Sequence, residues 1–249
     1  MRVIDEAFLR AKKLEKGGGF LLEEGDVVTP MAIEYADANK IKLQKPRKTQ
    51  KNEMPVDASG FTRGGIRYFD AVTGAAYAKK PEDMTHLSAN LLVKKSHPRI
   101  AFRGALDCLE AQIMETQSVA QRNNSPELAQ SLQEILLFVR SILAAEVKEI
   151  PFKAGGLIGY TSDELRSVSH NPQKYFGIGH PVPDYTMGEK IVRLNSLRTE
   201  VRRAELSAVN AFAGKRGDIV GALNRLSSAI YILILKELAE NELVQRKRN

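Results

Sequence analysis

The clearest pattern in the sequence is an apolar residue at every third or fourth position through most of its second half. This spacing places apolar side chains on one side of an α-helix and predicts four long helices. The first covers 99–122, and the second begins at Ser125-Pro126 and continues to Leu143. The third and fourth cover 188–212 and 215–243. Thr161 and Glu164 form a capping-box pair and predict a short fifth helix to about Val168. A loop is predicted over 171–183, which contains three prolines and two glycines.

The first 45 residues show a different pattern. A weak helical period runs over 3–14, and Gly17-Gly18-Gly19 is expected to end it, because three glycines cannot sustain a helix cheaply. Thr29-Pro30 is a typical helix start and predicts a helix to Ala38. A short strand is predicted over 40–43. These elements predict a small α/β unit at 1–45.

The stretch 46–84 resembles a basic linker broken by prolines and glycines, with a hairpin whose turn lies near 70–74. The remainder, 85–249, is predicted to be the helical-bundle domain. The predicted fold is therefore mainly α, an antiparallel bundle of four or five helices with a small N-terminal α/β unit.

Composition narrows the classes of function. Lys plus Arg is 37 and Asp plus Glu is 30, so the net charge of +7 indicates either an anionic partner, such as polyphosphate, nucleic acid or an acidic surface, or a solvated basic face. Aromatic residues are only 6%, and Trp is absent, which speaks against a single-stranded nucleic-acid platform. The longest strongly apolar run, 229–235, is too short for a membrane span, and the N-terminus has no secretory pattern. We expect a cytoplasmic protein that binds neither nucleic acid nor membrane.

The single cysteine, Cys108, excludes an internal disulfide and any metal site built from a cysteine cluster. It is expected to be a small buried side chain rather than a nucleophile. The four histidines are not paired at helical spacing, so no helical metal site is predicted.

One charge pattern stands out in the third long helix. Arg198, Arg202 and Glu205 share a helical face, and two guanidinium groups one turn apart match a polyphosphate. Glu205 could orient Arg202. The alternative is a solvated helix face laced with ion pairs, which spacing alone favours.

Three other groups could carry chemistry. Asn224-Arg225 interrupts the most apolar helix, where an amide can read a base edge or ribose or else belong to a polar network within the bundle. Asp107 lies within the apolar period of the first long helix, so it either pairs with Arg198 or Arg202 or lies exposed at the helix edge. The basic loop 94–99, with Thr85 upstream, precedes a helix start and favours phosphate.

Together, four segments resemble the ATP:cob(I)alamin adenosyltransferases, in particular the ethanolamine-utilisation branch, which is related to the propanediol-utilisation type. The resemblance covers most of 80–240, and the order of an R-x-x-x-R-R-A-E segment and an L-N-R-L-S segment is specific to it. The segments are 79–87, 93–107, 197–205 and 223–228.

The resemblance implies a reaction in which cobalt(I) of cob(I)alamin attacks the 5′ carbon of ATP, forming adenosylcobalamin (coenzyme B12) and releasing tripolyphosphate. Cob(II)alamin is the form that must first be reduced, and Mg²⁺ is expected with ATP. The implied ATP-binding residues are Thr85, Lys95, Arg198, Arg202, Glu205, Asn224 and Arg225. Arg198 and Arg202 are also implied in catalysis, together with Asp107, which pairs with the Arg198 position. The segment around Thr85 lacks the glycines that are typical of the family's phosphate loop.

Two departures from the family pattern change the expectations. Some members of this branch carry a His and a cysteine cluster that bind a divalent metal, but the matching stretch 70–77 has no cysteine. No structural Zn or Fe is therefore expected. The family also displaces the lower axial ligand of cobalt with an apolar side chain, and the candidates for corrinoid binding here are Phe176, His180 and Val182.

The resemblance also implies a homo-oligomer, with a trimer favoured and a dimer as the alternative, because the related type binds its nucleotide between subunits. Implied partners are ethanolamine ammonia-lyase or its reactivase and a bacterial microcompartment shell, which would place the protein in the cytoplasm or inside that compartment. The alternative function is a non-catalytic corrinoid carrier or a microcompartment assembly protein, with the helix near 3–14 either as a docking peptide or, as is more common, as an ordinary packed helix. A nucleic-acid binder that uses the basic linker and the basic tail at 246–248 is the least favoured function, because a terminal basic run is usually solvated.

Overall fold

The computed structural model describes residues 3–12, 19–22, 26–44, 65 and 67–248. The chain divides into two compact units, residues 1–62 and 63–249. The predicted three zones, with boundaries at 45 and 84, are a finer division and stay a prediction. Gly17, Gly18 and residues 46–64 of the basic linker lie outside the described residues, and Gly19 is the first residue of β2.

The first unit is a small α/β structure, as predicted. Two pairs of short parallel strands accompany two helices. The elements are β1 (Val3–Ile4), α1 (Glu6–Ala11), β2 (Gly19–Leu21), β3 (Val27–Val28), α2 (Pro30–Ala38) and β4 (Lys42–Gln44). Thr29 caps α2 by accepting a hydrogen bond from the backbone N–H of Ala32 at 3.3 Å, so the predicted helix start is confirmed.

The first helix is shorter than the predicted 3–14. Val3 and Ile4 form a strand that pairs with β3, because Asp5 caps α1 and accepts a hydrogen bond from the backbone N–H of Phe8 at 2.7 Å. A side-chain cap fixes the first helical residue at Glu6. The helical period in the sequence therefore included two residues that belong to a strand.

The second unit opens with a four-stranded sheet. Its strands are β5 (Tyr68–Asp70), β6 (Ala76–Tyr77), β7 (Met84–Ser88) and β8 (Leu91–Lys94), in the order β6-β5-β8-β7. β5 and β6 form the predicted hairpin about the turn at 71–75. β7 and β8 form a second hairpin that the sequence pattern did not indicate.

Six helices follow the sheet. They are α3 (Pro98–Arg122), α4 (Pro126–Val147), α5 (Ser162–His170), α6 (Pro172–Phe176), α7 (Glu189–Phe212) and α8 (Gly217–Arg248). α3 packs against α4 and α7, α7 also packs against α8, and α8 touches α4. Short turns join α3 to α4 and α7 to α8, and Arg122 near the end of α3 pairs with Glu189 at the start of α7. Neighbouring helices are thus antiparallel, and the predicted four-helix bundle is confirmed.

The predicted starts of the helices in the second unit hold to within two residues, but α4 and α8 continue to Val147 and Arg248, beyond their predicted ends at 143 and 243, and one short helix was not predicted. Both bonds of the capping box at the start of α5 are present. α6 occupies part of the stretch predicted as a loop, because Pro172 sits in its first turn, where proline is compatible with a helix. Gly177 ends α6 in a left-handed conformation with φ of 71°.

The core of the bundle is built from the predicted apolar stripes. Exceptions are Met114, Leu206 and Val209, which are 45%, 65% and 46% exposed. Cys108 is exposed, not buried as expected, because it lies on α3 between the buried Leu106 and Leu109 and points to another side of the helix. By length and composition α4 and 217–241 of α8 could cross a membrane, but their apolar residues form the core of the bundle.

A charged clasp, formed by Arg216 and Asp218, links the start of α8 to the backbone of Ile150 and Phe152. Arg216 donates from Nε to Oδ1 of Asp218 at 2.9 Å and from Nη2 to the carbonyl of Ile150 at 2.9 Å. The backbone N–H of Phe152 donates to Oδ2 of Asp218 at 2.7 Å. The Arg216 hydrogen bond is the main reason that the pKa of Asp218 falls to about 2.

This clasp is expected to make stability depend on acid pH. A carboxyl with a lowered folded pKa contributes stability above its unfolded pKa and loses that contribution as the pH falls through the folded value. For Asp218, the loss should span about pH 5 to 2 and amount to about 2 kcal/mol. Urea unfolding of Asp218→Asn should show that deficit at neutral pH and converge with wild type near pH 2. Asp37→Asn, at an exposed carboxylate, should superimpose on wild type, and a constant deficit for Asp218→Asn would contradict the assignment.

Candidate functional site

A polar cleft lies on the second unit where α7 and α8 run side by side. Glu205 of α7 faces Asn224 of α8. Arg198, seven residues before Glu205, faces Tyr231, seven residues after Asn224. Antiparallel helices therefore present these four side chains in one row. The cleft has a volume of about 270 Å³. It is lined by Ser169, His170, His180, Arg198, Arg202, Asn224, Arg225, Ser227, Ser228 and Tyr231.

Arg198 is the most constrained cation in this cleft. Its Nε is buried and has no hydrogen-bond partner among the described residues. Its Nη2 donates to Oδ1 of Asn195 at 3.4 Å, which is a long bond, and its Cζ lies 5.8 Å from the centre of the Tyr231 ring. A buried N–H without an acceptor is costly, so the hydrogen bonding of this guanidinium is incomplete within the described chain.

A chain of hydrogen bonds fixes the amide of Asn224. Its Nδ2 donates to Oε1 of Glu205 at 3.0 Å, and its Oδ1 accepts from Nη2 of Arg225. Glu205 therefore orients Asn224, whereas the sequence had suggested Arg202 as its partner. Arg202 is exposed and free to turn toward a ligand in the cleft.

Tyr231 is the most connected of the cleft residues that the sequence analysis missed, the others being Ser169, His170, Ser227 and Ser228. Its hydroxyl is hydrogen-bonded to Nδ1 of His180 at 2.8 Å, and the two rings stack with centroids 6.1 Å apart. Burial raises the pKa of Tyr231, and the nearby Arg198 acts in the opposite direction. The available signal was its position two helical turns after Asn224, on the same face of an apolar helix.

The other predicted site residues do not line this cleft in the described chain. Thr85 is half-buried on β7, opposite Val93 of β8, and Lys95 is exposed in the turn before α3. Asp107 is exposed on α3 and has no ion pair among the described residues. In a single chain its carboxylate thus lies at the helix edge, the alternative left open by the sequence.

The three candidates for corrinoid contact differ in their surroundings. His180 belongs to the cleft through Tyr231. Val182 is 82% exposed in the same loop, and Phe176 packs against the core of the bundle. Val182 is therefore the apolar side chain of the three that is free to meet a flat ligand.

A buried carboxylate ties the sheet to the bundle beneath Thr85 and Lys95. Glu146 of α4 is 0% exposed and accepts from Nε of Arg99 at 2.5 Å and from Nε of Arg103 at 2.6 Å. Arg103 also donates to the carbonyls of His86 and Leu87, at 3.2 and 2.8 Å. This clamp fixes the β7–β8 hairpin relative to α3 and α4.

Other features of the second unit contribute less to a site. A larger open cavity of about 650 Å³ lies at the α3–α4 turn, but amides, a serine, a proline and an alanine line it without a charged side chain. Over the described ranges, no group of three or more His, Cys, Asp or Glu side chains could hold a metal ion. The predicted absence of a protein-bound Zn or Fe stays a prediction.

The α7–α8 cleft is suited to a ligand that is both anionic and polar. Three guanidinium groups, from Arg198, Arg202 and Arg225, can meet phosphate oxygens. The fixed amide of Asn224 and the hydroxyls of Ser227 and Ser228 add specific hydrogen-bonding groups. A nucleoside polyphosphate matches this combination.

Comparison with known proteins supports a family assignment. The model of the cobalamin adenosyltransferase family matches residues 76–237. The chain is 31% identical to corrinoid adenosyltransferase EutT of Salmonella typhimurium strain LT2, over 96% of this chain and 94% of the relative. It is 30% identical to corrinoid adenosyltransferase EutT of Escherichia coli strain K12, over 98% of this chain and 95% of the relative. The matched family region contains the whole cleft.

Proposed function

The chain belongs to the cobalamin adenosyltransferase family, and we propose that its α7–α8 cleft binds the ATP of the transfer reaction. The protein is a corrinoid adenosyltransferase. The observation that carries the nucleotide site is Arg198, whose buried Nε lacks an acceptor in a cleft lined by two further arginines. A nucleoside polyphosphate between α7 and α8 brings oxygen acceptors to this face.

The reaction requires positioning rather than a protein nucleophile. Cobalt(I) of the corrinoid substrate donates an electron pair to the 5′ carbon of ATP, so a cobalt–carbon bond forms. The carbon–oxygen bond breaks, tripolyphosphate leaves with that bond's electron pair, and cobalt ends as cobalt(III). Arg198 and Arg202 hold the phosphates and stabilise the departing polyanion. Asn224, fixed by Glu205 and Arg225, contacts the base or ribose, and Mg²⁺ enters with the ATP phosphates.

Thr85, Lys95 and Asp107 act in the same site when they come from a neighbouring subunit. Lys95 is an exposed cation beside a helix start, and Asp107 is an exposed carboxylate. Asp107 supplies an acceptor of the kind that Arg198 lacks within its own chain. A homo-oligomer, with a trimer favoured over a dimer, makes this pairing possible.

The corrinoid lies against the loop 178–183, next to the nucleotide. Val182 is the exposed apolar side chain of that loop, and His180 is held by Tyr231 at the edge of the cleft. Phe176 has to leave its packing against the core before it can contact the corrinoid. This comparison favours Val182 over Phe176 as the side chain beside the lower face of cobalt.

The direct test is an anaerobic assay with chemically reduced cob(I)alamin. Protein stripped of metal by a chelator and then supplied with Mg-ATP is expected to form adenosylcobalamin, seen in its visible spectrum, with equimolar tripolyphosphate. The reason is that arginine, lysine and amide groups supply the positioning and need no protein-bound metal.

Two controls define the result of this assay. Arg202→Ala should be folded and nearly inactive, whereas Arg193→Ala, on the same helix but paired with Glu115 outside the cleft, should be active. Binding of ATP or corrinoid without conversion would contradict the enzymatic function and favour the alternative, a corrinoid carrier or assembly protein.

The cellular setting is also a proposal. A cytoplasmic location, either free or inside a bacterial microcompartment, fits an enzyme that supplies coenzyme B12 to ethanolamine ammonia-lyase. The lyase, its reactivase and the compartment shell are the proposed partners, and α1 would be the docking element. Neither a nucleic acid nor a membrane partner is proposed.

A further inference from the structure

The side chain of Tyr231 contacts a residue on each side of the cleft. The Tyr231 ring faces the guanidinium of Arg198, and the Tyr231 hydroxyl is hydrogen-bonded to His180. Arg198 belongs to α7, and His180 belongs to the loop 178–183 that follows α6. Tyr231 therefore links the proposed nucleotide side of the cleft with the proposed corrinoid side.

The loop 178–183 has few other attachments. Gly179, His180, Val182 and Pro183 are exposed, and the glycines Gly177 and Gly188 on either side of the loop have positive φ angles of 71° and 95°. Within the described chain, the contact between His180 and Tyr231 is the side-chain hydrogen bond that joins this loop to the helical bundle. Loss of that bond would release the loop without removing any core side chain.

We propose that Tyr231 is a positioning residue that holds the 178–183 loop against the cleft through its hydroxyl and holds Arg198 through its ring. The proposal rests on the proposed function, because it needs the loop to face the corrinoid and Arg198 to face ATP. It adds Tyr231 to the site and assigns separate roles to its ring and its hydroxyl.

The two parts differ in chemistry, which makes them distinguishable. The ring supplies a face for the guanidinium of Arg198 and also stacks on the ring of His180, and phenylalanine retains both contacts whereas leucine loses both. The hydroxyl supplies the hydrogen bond to His180, which both replacements lose. A change confined to corrinoid kinetics would therefore report the hydroxyl, and an added change in ATP kinetics would report the ring.

Steady-state kinetics of two variants test this division. Tyr231→Phe is expected to raise KM for cob(I)alamin roughly five-fold, the effect of one lost hydrogen bond, and to leave KM for ATP unchanged. Tyr231→Leu is expected to raise KM for cob(I)alamin at least as much, because it also loses the stacking on His180, and to raise KM for ATP roughly three-fold as well. A general loss of structure would instead lower the active fraction and with it the apparent kcat, while both Michaelis constants of the remaining folded enzyme stay unchanged.

A double-variant comparison asks whether the hydroxyl acts through His180. In the His180→Ala background, Tyr231→Phe should change KM for cob(I)alamin no further, since the shared bond is already absent. Tyr160→Phe is the matched control, because Lys236 lies 5.3 Å from the Tyr160 ring and the Tyr160 hydroxyl has no hydrogen bond among the described residues. It should behave as wild type in both constants.

Three outcomes would overturn the proposal. They are an unchanged Tyr231→Phe enzyme, equal rises in both Michaelis constants for that variant, and an undiminished Tyr231→Phe effect in the His180→Ala background. Each of them leaves conversion by the wild-type enzyme intact and so leaves the proposed function standing. No conversion by wild type overturns the proposed function and this inference together.

Discussion

Replacing Arg198 by alanine is expected to lower kcat/KM for adenosyl transfer by about 10²- to 10³-fold while the protein stays folded. The buried Nε of Arg198 has no acceptor in the described chain, and its Nη2 makes only a long bond of 3.4 Å to Asn195, so its removal should cost the fold little. What is lost is a preorganised cation that meets the leaving polyphosphate. Anaerobic conversion of cob(I)alamin at varied Mg-ATP gives the constants, and circular dichroism reports the fold.

The conservative variant separates charge from geometry. Arg198→Lys keeps one positive charge but loses the planar fork, so it should recover only part of the activity lost in Arg198→Ala. Arg193→Ala, which removes an exposed guanidinium from the same helix, should be close to wild type. Full activity in Arg198→Ala would contradict the nucleotide site at the α7–α8 cleft.

The same variant tests whether the site is shared between subunits. Coexpressed Arg198→Ala and Lys95→Ala chains should form mixed oligomers in which some sites combine an intact Arg198 with an intact Lys95. Activity of the purified mixed oligomer should then exceed that of either variant alone. Activity no greater than the two parent enzymes would show that Lys95 and Arg198 do not complete each other's site.

Much of the fold was predictable because local signals agreed with tertiary packing. Ser125-Pro126, the Thr161–Glu164 capping box and the apolar stripes each placed the start of a helix to within two residues, whereas the ends of α4 and α8 lie four and five residues beyond the predicted ones. The β7–β8 hairpin was missed because its turn places Ala89 at φ of 46° without a glycine to announce it. Its strands, of five and four residues, are too short to show a clear alternation.

The site residues on α7 and α8 were predictable, but the contacts between different structural elements were not. Arg198, Arg202 and Asn224 come from sequence segments whose helical spacing can be read directly, and the structure brings them to one cleft. The contact between Tyr231 and His180 spans 51 residues and depends on how a loop returns to a helix, which spacing does not encode. Cys108 is a different case, because its position between Leu106 and Leu109 lies off the buried stripe of α3, which the helical period could have shown.

Among the charged side chains of the bundle, the buried Glu146 is expected to cause the largest loss of stability when it is removed. Glu146→Ala should lower the free energy of unfolding by about 3–5 kcal/mol, since it leaves Arg99 and Arg103 without their shared acceptor in a buried place. Both arginine side chains are 17% exposed, so water can replace the carboxylate only in part. Guanidinium chloride unfolding at one fixed protein concentration measures the change.

A second glutamate on the same arginine provides the matched control. Glu149 accepts from Nη1 of Arg99 at 2.6 Å, but its side chain is 59% exposed, so Glu149→Ala should cost only about 0–1 kcal/mol. Equal losses for the two variants would contradict the claim that burial sets the cost. Because Arg103 also holds the carbonyls of His86 and Leu87, Glu146→Gln should loosen the hairpin that carries Thr85. That variant should therefore raise KM for ATP at temperatures where it is still folded, which Glu149→Ala should not do.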